Sequence, residues 1–216
     1  MSEEFRAVAI DGPAASGKST VAKRLAASLG LVMVNSGAMY RAVTWQILED
    51  GVDPTDSEAV IAALTEMEIV CGVEDEVSNI IINDRLLTDE LRSEAVNNTV
   101  SKVAAIPEVR ECLVAIQRAY RDSSDVVMEG RDIGSVVFAD TPYKLYIDAS
   151  EDVRRARRAK DGEADAVAAR DAQDSQRKTA PLKVADGAIV IDSSEMGIDE
   201  VVSTAYEALV KLGWEK

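Results

Sequence analysis

The chain has 216 residues, 47% of them apolar and 29% charged, enough for one buried core with inserted pieces and unlike collagen-like, mucin-like or wholly disordered sequences. Its 24 basic and 39 acidic side chains leave a net charge of −15 at pH 7, a field that disfavours non-specific binding to nucleic acid or anionic lipid. It has no histidine, which excludes Ser-His-Asp and Cys-His dyads, an HExxH zinc site and an imidazole base near neutral pH.

The first predicted element is a buried strand over 7–10, apolar until it stops at Asp11-Gly12-Pro13. A helix is expected from about Lys18, with Val21, Leu25 and Leu29 four apart and Gly30 as its stop. A second strand over 31–34 and a second helix over 37–50, closed by Gly51, continue the alternation. It then breaks: 52–105 holds β-like pieces at 68–73 and 79–83, followed from Asp84 by loop and short helices with Leu91, Val96, Val100 and Val103 as apolar contacts. This stretch reads as an inserted subdomain. Pro107 opens a helix with Val109, Leu113, Ile116 and Tyr120 on one face. Strands follow at 125–128, 144–147 and 188–191, and an amphipathic helix at 198–212.

Five short apolar strands alternating with helices predict an α/β fold, an open parallel sheet covered by helices on both faces. Ligands in such sheets sit at the carboxyl ends of the strands. The expected division is a core built from 1–51, 106–150 and 179–216, an insert over 52–105 and a charged lid region over 151–178. Cys71 and Cys112 lie outside any metal-ribbon pattern and read as ordinary buried thiols. The acidic amino terminus is unlike a signal peptide, and no apolar run approaches the roughly 18 residues of a membrane span. A cytoplasmic monomer with no membrane or nucleic-acid partner is expected.

The chemistry concentrates at Gly12-Pro13-Ala14-Ala15-Ser16-Gly17-Lys18-Ser19, a full G-x-x-x-x-G-K-[ST] match between a predicted strand and a predicted helix. Such a loop turns successive backbone N–H groups inward, and the helix N-terminus adds positive partial charge toward enclosed phosphates. Lys18 would reach the outer phosphates, and Ser19 would offer its hydroxyl to Mg²⁺. A phosphate cradle alone does not separate a kinase from a GTPase or an ATP-driven machine.

Residues 151–178 carry eight basic and seven acidic groups, so the other 188 residues hold a charge of −16. Arg154, Arg155, Arg157, Arg158 and Lys160 crowd one predicted helix, where like charges repel unless something anionic answers them. They could form a solvated face neutralised by Glu151, Asp152 and Asp161. Beside a phosphate loop, a basic lid closing over a nucleotide is favoured, its arginines clamping the transition state. Arg170, Asp174 and Arg177 share one side of a helix, an arrangement that suits either an ion-pair ladder or a joint grip on phosphate and ribose. Arg131 and Asp132 follow a buried-type strand; Ser36 and Arg41 hold the corresponding position after the second strand.

At these residues the chain resembles the bacterial cytidylate kinases, a branch of the P-loop nucleoside monophosphate kinases. The resemblance runs through Ile10-Asp11-Gly12-Pro13 into the phosphate loop, then Ser36-Gly37-Ala38-Met39-Tyr40-Arg41 and Gly130-Arg131-Asp132-Ile133-Gly134. It continues through Arg170-Asp171 with Asp174 and Arg177, Ala180-Pro181-Leu182, and Asp192-Ser193-Ser194. It implies a P-loop NTPase core with a monophosphate-binding insert, and transfer of the ATP γ-phosphoryl group to CMP or dCMP with Mg²⁺ as cofactor. By motif match, Gly12, Pro13, Ala14, Ala15, Ser16, Gly17, Lys18, Ser19 and Thr20 would hold ATP. Ser36, Arg41, Arg131 and Arg177 would hold the acceptor phosphate, with Asp174 and Arg170 serving the ribose and the transferred group. Cytosine recognition would fall to Ser101, Arg110 and Asp132, with Arg92 nearby. Lys18, Arg131, Arg170 and the lid arginines Arg154, Arg157 and Arg158 are the implied catalytic groups.

Asn35 and Glu129 stand where the family more often has aspartates; both keep oxygen acceptors, so tuning rather than loss is expected. The stretch 160–169 makes a short lid, which bears on closure rate and leakage by ATP hydrolysis. Two rivals stand beside this reading: a kinase for another small acceptor such as UMP, AMP or a non-nucleotide metabolite, and a regulatory nucleotide switch. Against the switch, no NKxD-type guanine-reading segment is found.

Overall fold

The computed structural model describes residues 5–160, 174 and 180–215. Strand β1 (Ala7–Asp11) is buried at every position. It lies between β6 (Val126–Gly130) and β7 (Lys144–Asp148), parallel to both. Beyond β6 comes β2 (Val32–Asn35), and beyond β7 comes β8 (Ile189–Asp192), again parallel. The five strands expected from the sequence are these five, in the spatial order β2-β6-β1-β7-β8.

The period of two along β1 divides the core. Val8 and Ile10 face one side, where Val21 and Leu25 of α1 (Lys18–Leu29) meet Val201, Ala205 and Leu209 of α7 (Ile198–Lys211). Gly30 ends α1 in the left-handed region, φ 69°, its N–H donating to Ala26 O. Ala7 and Ala9 face the other side, against Met39, Val43 and Ile47 of α2 (Ser36–Glu49) and Val109 and Leu113 of α5 (Pro107–Ala119). Both faces are thus covered, as a parallel sheet requires.

The stretch 52–105 forms α3 (Ser57–Glu66), β3 (Ile69–Glu74), β4 (Val77–Ile82), β5 (Arg85–Leu86) and α4 (Glu94–Val103). Its strands do not stand apart from the main sheet. β3 pairs antiparallel with β4, β5 pairs with β4, and β4 joins β2 in parallel at one registered position, Met33↔Val77. Among the described residues the sheet therefore has eight strands. Val60, Leu64, Ile80, Ile82, Val100 and Val103 sit in the same apolar cluster as the buried faces of α2 and α5.

At the amino-terminal ends of the strands, Arg6 spans several segments. Its Nε and Nη2 donate to Asp125 Oδ2 at 3.2 and 2.9 Å, its Nη1 donates to Glu215 O, and its guanidinium lies 4.1 Å from the Trp214 ring centre. Cys71 and Cys112 are free, half-buried thiols, and burial pushes Cys71 up to about 11, far from a reactive thiolate. No helix among the described residues is long and apolar enough to cross a membrane.

Candidate active site

The phosphate loop leaves the carboxyl end of β1 and enters α1. Gly12 is required by packing: a Cβ there would lie 2.1 Å from Ile147 O on β7. Gly17 caps α1 at φ 91°, a left-handed conformation that a side chain strains. Lys18, the first helical residue, is buried and donates from Nζ to Pro13 O at 2.9 Å. Its ammonium is thereby folded back over the loop. Ser19 Oγ donates to Glu129 Oε1 at 2.8 Å, and Glu129 is buried near the end of β6. Thr20 is exposed one position on.

Helix α6 (Glu151–Lys160) presents two faces. Arg155 points outward and pairs with Glu151 and Asp152 at 2.6 and 3.6 Å, the solvated arrangement open to the whole cluster on sequence grounds. Its neighbours turn to the phosphate loop. Arg154 donates to Ala149 O at 2.9 Å and Ala14 O at 3.2 Å. Arg157 donates to Ser16 O and Ser193 Oγ, both at 3.1 Å, and to Ser193 O at 2.8 Å. Arg158 is half-buried beside them.

Of the residues expected on the acceptor side, Ser36, Arg131 and Asp132 follow directly on β2 and β6, and Arg41, Ser101, Arg110 and Arg92 come from α2, α4, α5 and the turn before α4. Ser36 Oγ donates to Glu129 O at 2.8 Å, and a Cβ on Gly130 would approach that hydroxyl to 2.5 Å. Asn35 Oδ1 accepts from Ala38 N at 3.0 Å and so caps α2, a task an amide oxygen performs as well as a carboxylate. Arg110 and Asp132 form an ion pair with both side chains only 6% exposed. Arg110 also donates to Ala104 O at 3.2 Å, and its guanidinium stands 5.4 Å from the Tyr40 ring centre. Ser101 is buried on α4. Arg131 Nε donates to buried Asp174 Oδ2 at 2.9 Å, which ties the turn after β6 to the lid region. Arg41 donates to Leu91 O and Asn97 Oδ1, and exposed Arg92 ends the short 3-10 turn Asp89–Arg92. Arg170 and Arg177, and the short-lid stretch 161–169, lie outside the described residues.

Three participants escaped the sequence reading as site residues. Asp11, at the end of an apolar strand, accepts from Ile133 N at 2.7 Å and Gly134 N at 2.8 Å, the amides directly after Asp132. Burial, more than the nearby Asp132 charge, lifts its carboxyl to about 6, against the lowering effect of those amides and of Lys18. Ser193 Oγ lies 3.0 Å from Ser16 O and 2.9 Å from Asp148 O, so it braces the loop from β8. Asn97 is the third. The signal for Asp11 was available: a charged residue closing a strand that is otherwise entirely buried has to be answered by donors.

A cavity of about 200 Å³ opens between the start of α2 and the β4–β5 hairpin, lined among others by Asn35, Met39, Asn79, Leu87 and Leu91. None of Ser36, Arg41, Ser101, Arg110, Arg131 or Asp132 lines it.

A family model described as cytidylate kinase matches residues 8–211. A cytidylate kinase of Clostridium botulinum is 43% identical over 206 residues, covering 90% of this chain and 93% of that protein. One from Pseudomonas paraeruginosa is 41% identical over 221 residues, covering 96% of each. Among solved structures, a gluconokinase from Sinorhizobium meliloti matches with a TM-score of 0.51 at 13% identity, over 97% of this chain and 93% of that one. A sugar kinase from Janibacter gives a TM-score of 0.50 at 16% identity, over 96% and 95%. These two likenesses carry the fold alone.

Proposed function

This chain belongs to the cytidylate kinase family, and from that premise we propose that it transfers the γ-phosphoryl group of ATP to CMP or dCMP, giving ADP and CDP or dCDP. The observation that supports the acceptor assignment is the buried ion pair between Arg110 of α5 and Asp132 on the turn after β6. It holds donors and acceptors together between α5 and the turn after β6, the mixture that a cytosine edge, with one amine and two acceptors, asks for.

The nucleophile is a phosphate oxygen of the acceptor. Its second proton leaves near pH 6, roughly, so no protein base is needed, and a chain without histidine loses nothing. That oxygen attacks the γ-phosphorus in line while the bond to the β–γ bridging oxygen breaks and ADP departs. Lys18 would exchange the Pro13 carbonyl for phosphate oxygens, with the loop amides and the α1 N-terminus holding the rest. Arg154, Arg157 and Arg158 supply positive charge on the donor side; Ser36, Arg41 and Arg131 orient the acceptor phosphate. Arg170 and Arg177 join them by motif.

The residues present fit Mg²⁺: the Ser19 hydroxyl and the Glu129 carboxylate, 2.8 Å apart beside the loop, are the hard oxygens this ion prefers. When bound, it would neutralise charge building on the β and γ phosphates. The reaction uses soluble small molecules throughout, in keeping with a cytoplasmic monomer serving pyrimidine nucleotide metabolism.

The test is ADP release with ATP and Mg²⁺, comparing CMP, dCMP, UMP, AMP and GMP with a control lacking acceptor. Fast turnover with CMP and dCMP, slower with UMP and near background with purines, is expected. Equal release without acceptor would overturn the reading in favour of an ATPase or switch. Lys18→Ala should lower kcat by at least about a hundredfold with an unchanged circular dichroism spectrum; near-normal turnover would remove the phosphate loop from the mechanism.

A further inference from the structure

Arg41 is expected at the acceptor phosphate, yet its contacts run to the insert. Its Nη1 donates to Leu91 O at 2.8 Å and to Asn97 Oδ1 at 2.7 Å. Asn97 belongs to the first turn of α4, where Ser93 caps the helix and Asn97 N donates to Ser93 O at 2.9 Å. The other end of its amide is also used: Nδ2 donates to Arg92 O at 3.1 Å. The amide orientation follows from its partners, since only an oxygen can accept from a guanidinium and only an NH₂ can answer a carbonyl. One side chain therefore links the Arg41 guanidinium to the backbone of Arg92.

The side-chain type matters as much as the place. A long guanidinium arm samples many rotamers, and a phosphate is gripped well only if the fork is already aimed. An amide can aim it while adding no negative charge of its own. A carboxylate at position 97 would accept from Arg41 more strongly and compete with the acceptor phosphate for the same donors.

We propose that Asn97 is a positioning residue for the acceptor phosphate, holding the Arg41 guanidinium through a neutral amide and coupling it to the segment that carries Arg92. It acts through Arg41 and does not touch the reacting atoms. The inference rests on the acceptor role given to Arg41 above.

The experiment measures kcat and the KM for CMP and for ATP, together with thermal unfolding, in the wild type, Asn97→Ala and Asn97→Asp. Loss of one charge-assisted hydrogen bond should raise the CMP KM of Asn97→Ala roughly tenfold and leave the ATP KM within about twofold. Asn97→Asp keeps the size and the acceptor, so it preserves the fold if alanine does not. Its CMP KM should rise at least as far, because the new charge opposes the phosphate. A CMP KM near the wild-type value in either folded variant overturns the proposal, as does a parallel rise of both KM values, which marks a purely structural role. A wild type that turns over ATP equally with and without CMP overturns the functional reading itself, and the inference with it; a wild type that phosphorylates CMP while the variants match it sinks the inference alone.

Discussion

Asp11 spends both carboxylate oxygens on the amides of Ile133 and Gly134 and thereby fixes the turn that carries Arg131 and Asp132 to the strand that feeds the phosphate loop. The arrangement has a measurable cost. Burial lifts its pKa from the ordinary 3.8 to about 6, so the unfolded chain gives up this proton more readily than the folded one. The ionised carboxylate therefore works against folding at neutral pH, by on the order of 3 kcal/mol, and the penalty fades as pH falls through 6 and is gone below about 4. An asparagine in its place can answer only one of the two amides, which shifts stability by an amount independent of pH. Urea unfolding of the wild type and Asp11→Asn should show the wild type gaining about 1 kcal/mol relative to the variant between pH 7 and pH 5. A difference that stays constant with pH would mean that Asp11 titrates as an exposed carboxylate does.

At the scale of elements, the five parallel strands and the flanking helices were legible because their apolar runs and spacings report burial directly. The β3–β4–β5 meander was legible only in fragments, and its turns explain why. Asp75 and Glu76 both sit in the left-handed region, φ 51° and 61°, as do Asn83 and Asp84 at 49° and 63°. Two-residue hairpins usually announce themselves by Asn-Gly or Asp-Gly; here Asp75-Glu76 and Asn83-Asp84 take the left-handed positions without a glycine, so the expected second piece began at 79 and left out Val77 and Ser78. Glu76 also receives Met33 N at 2.8 Å, which places this turn at the junction with β2. Glycine at that position removes a steric penalty of about 1 kcal/mol and returns part of it as chain entropy. Glu76→Gly should therefore stabilise the protein by about 0.5 kcal/mol in denaturant titration; destabilisation would show that the glutamate side chain contributes more than its backbone costs. The site was legible to a similar degree. The loop and the arginines were named by residue type, but that Arg157 would meet Ser193, or Arg41 meet Asn97, depends on strands and helices far apart in sequence, which no local pattern encodes.

For the molecule as a whole, 39 acidic side chains against 24 basic ones leave most of the surface repelling itself. Part of the positive charge stands around the phosphate loop, where Lys18 is buried and Arg154 and Arg157 of α6 reach the loop carbonyls. Screening should relieve the repulsion: the unfolding temperature should rise by a few degrees, roughly, between 10 mM and 300 mM sodium chloride. A fall with salt would mean that attractive pairs such as Arg6–Asp125 and Arg131–Asp174 outweigh the excess negative charge. The loop and the sheet meanwhile form one object. Gly12 stands against the Ile147 carbonyl of a neighbouring strand, so close that any Cβ collides with backbone. Selection at this position consequently acts on strand packing, whatever the loop binds. A descendant that had abandoned nucleotides altogether but kept β1 beside β7 would still carry this glycine, and its persistence in a lineage would be no testimony to catalysis; Lys18 would be the first letter of the motif to drift.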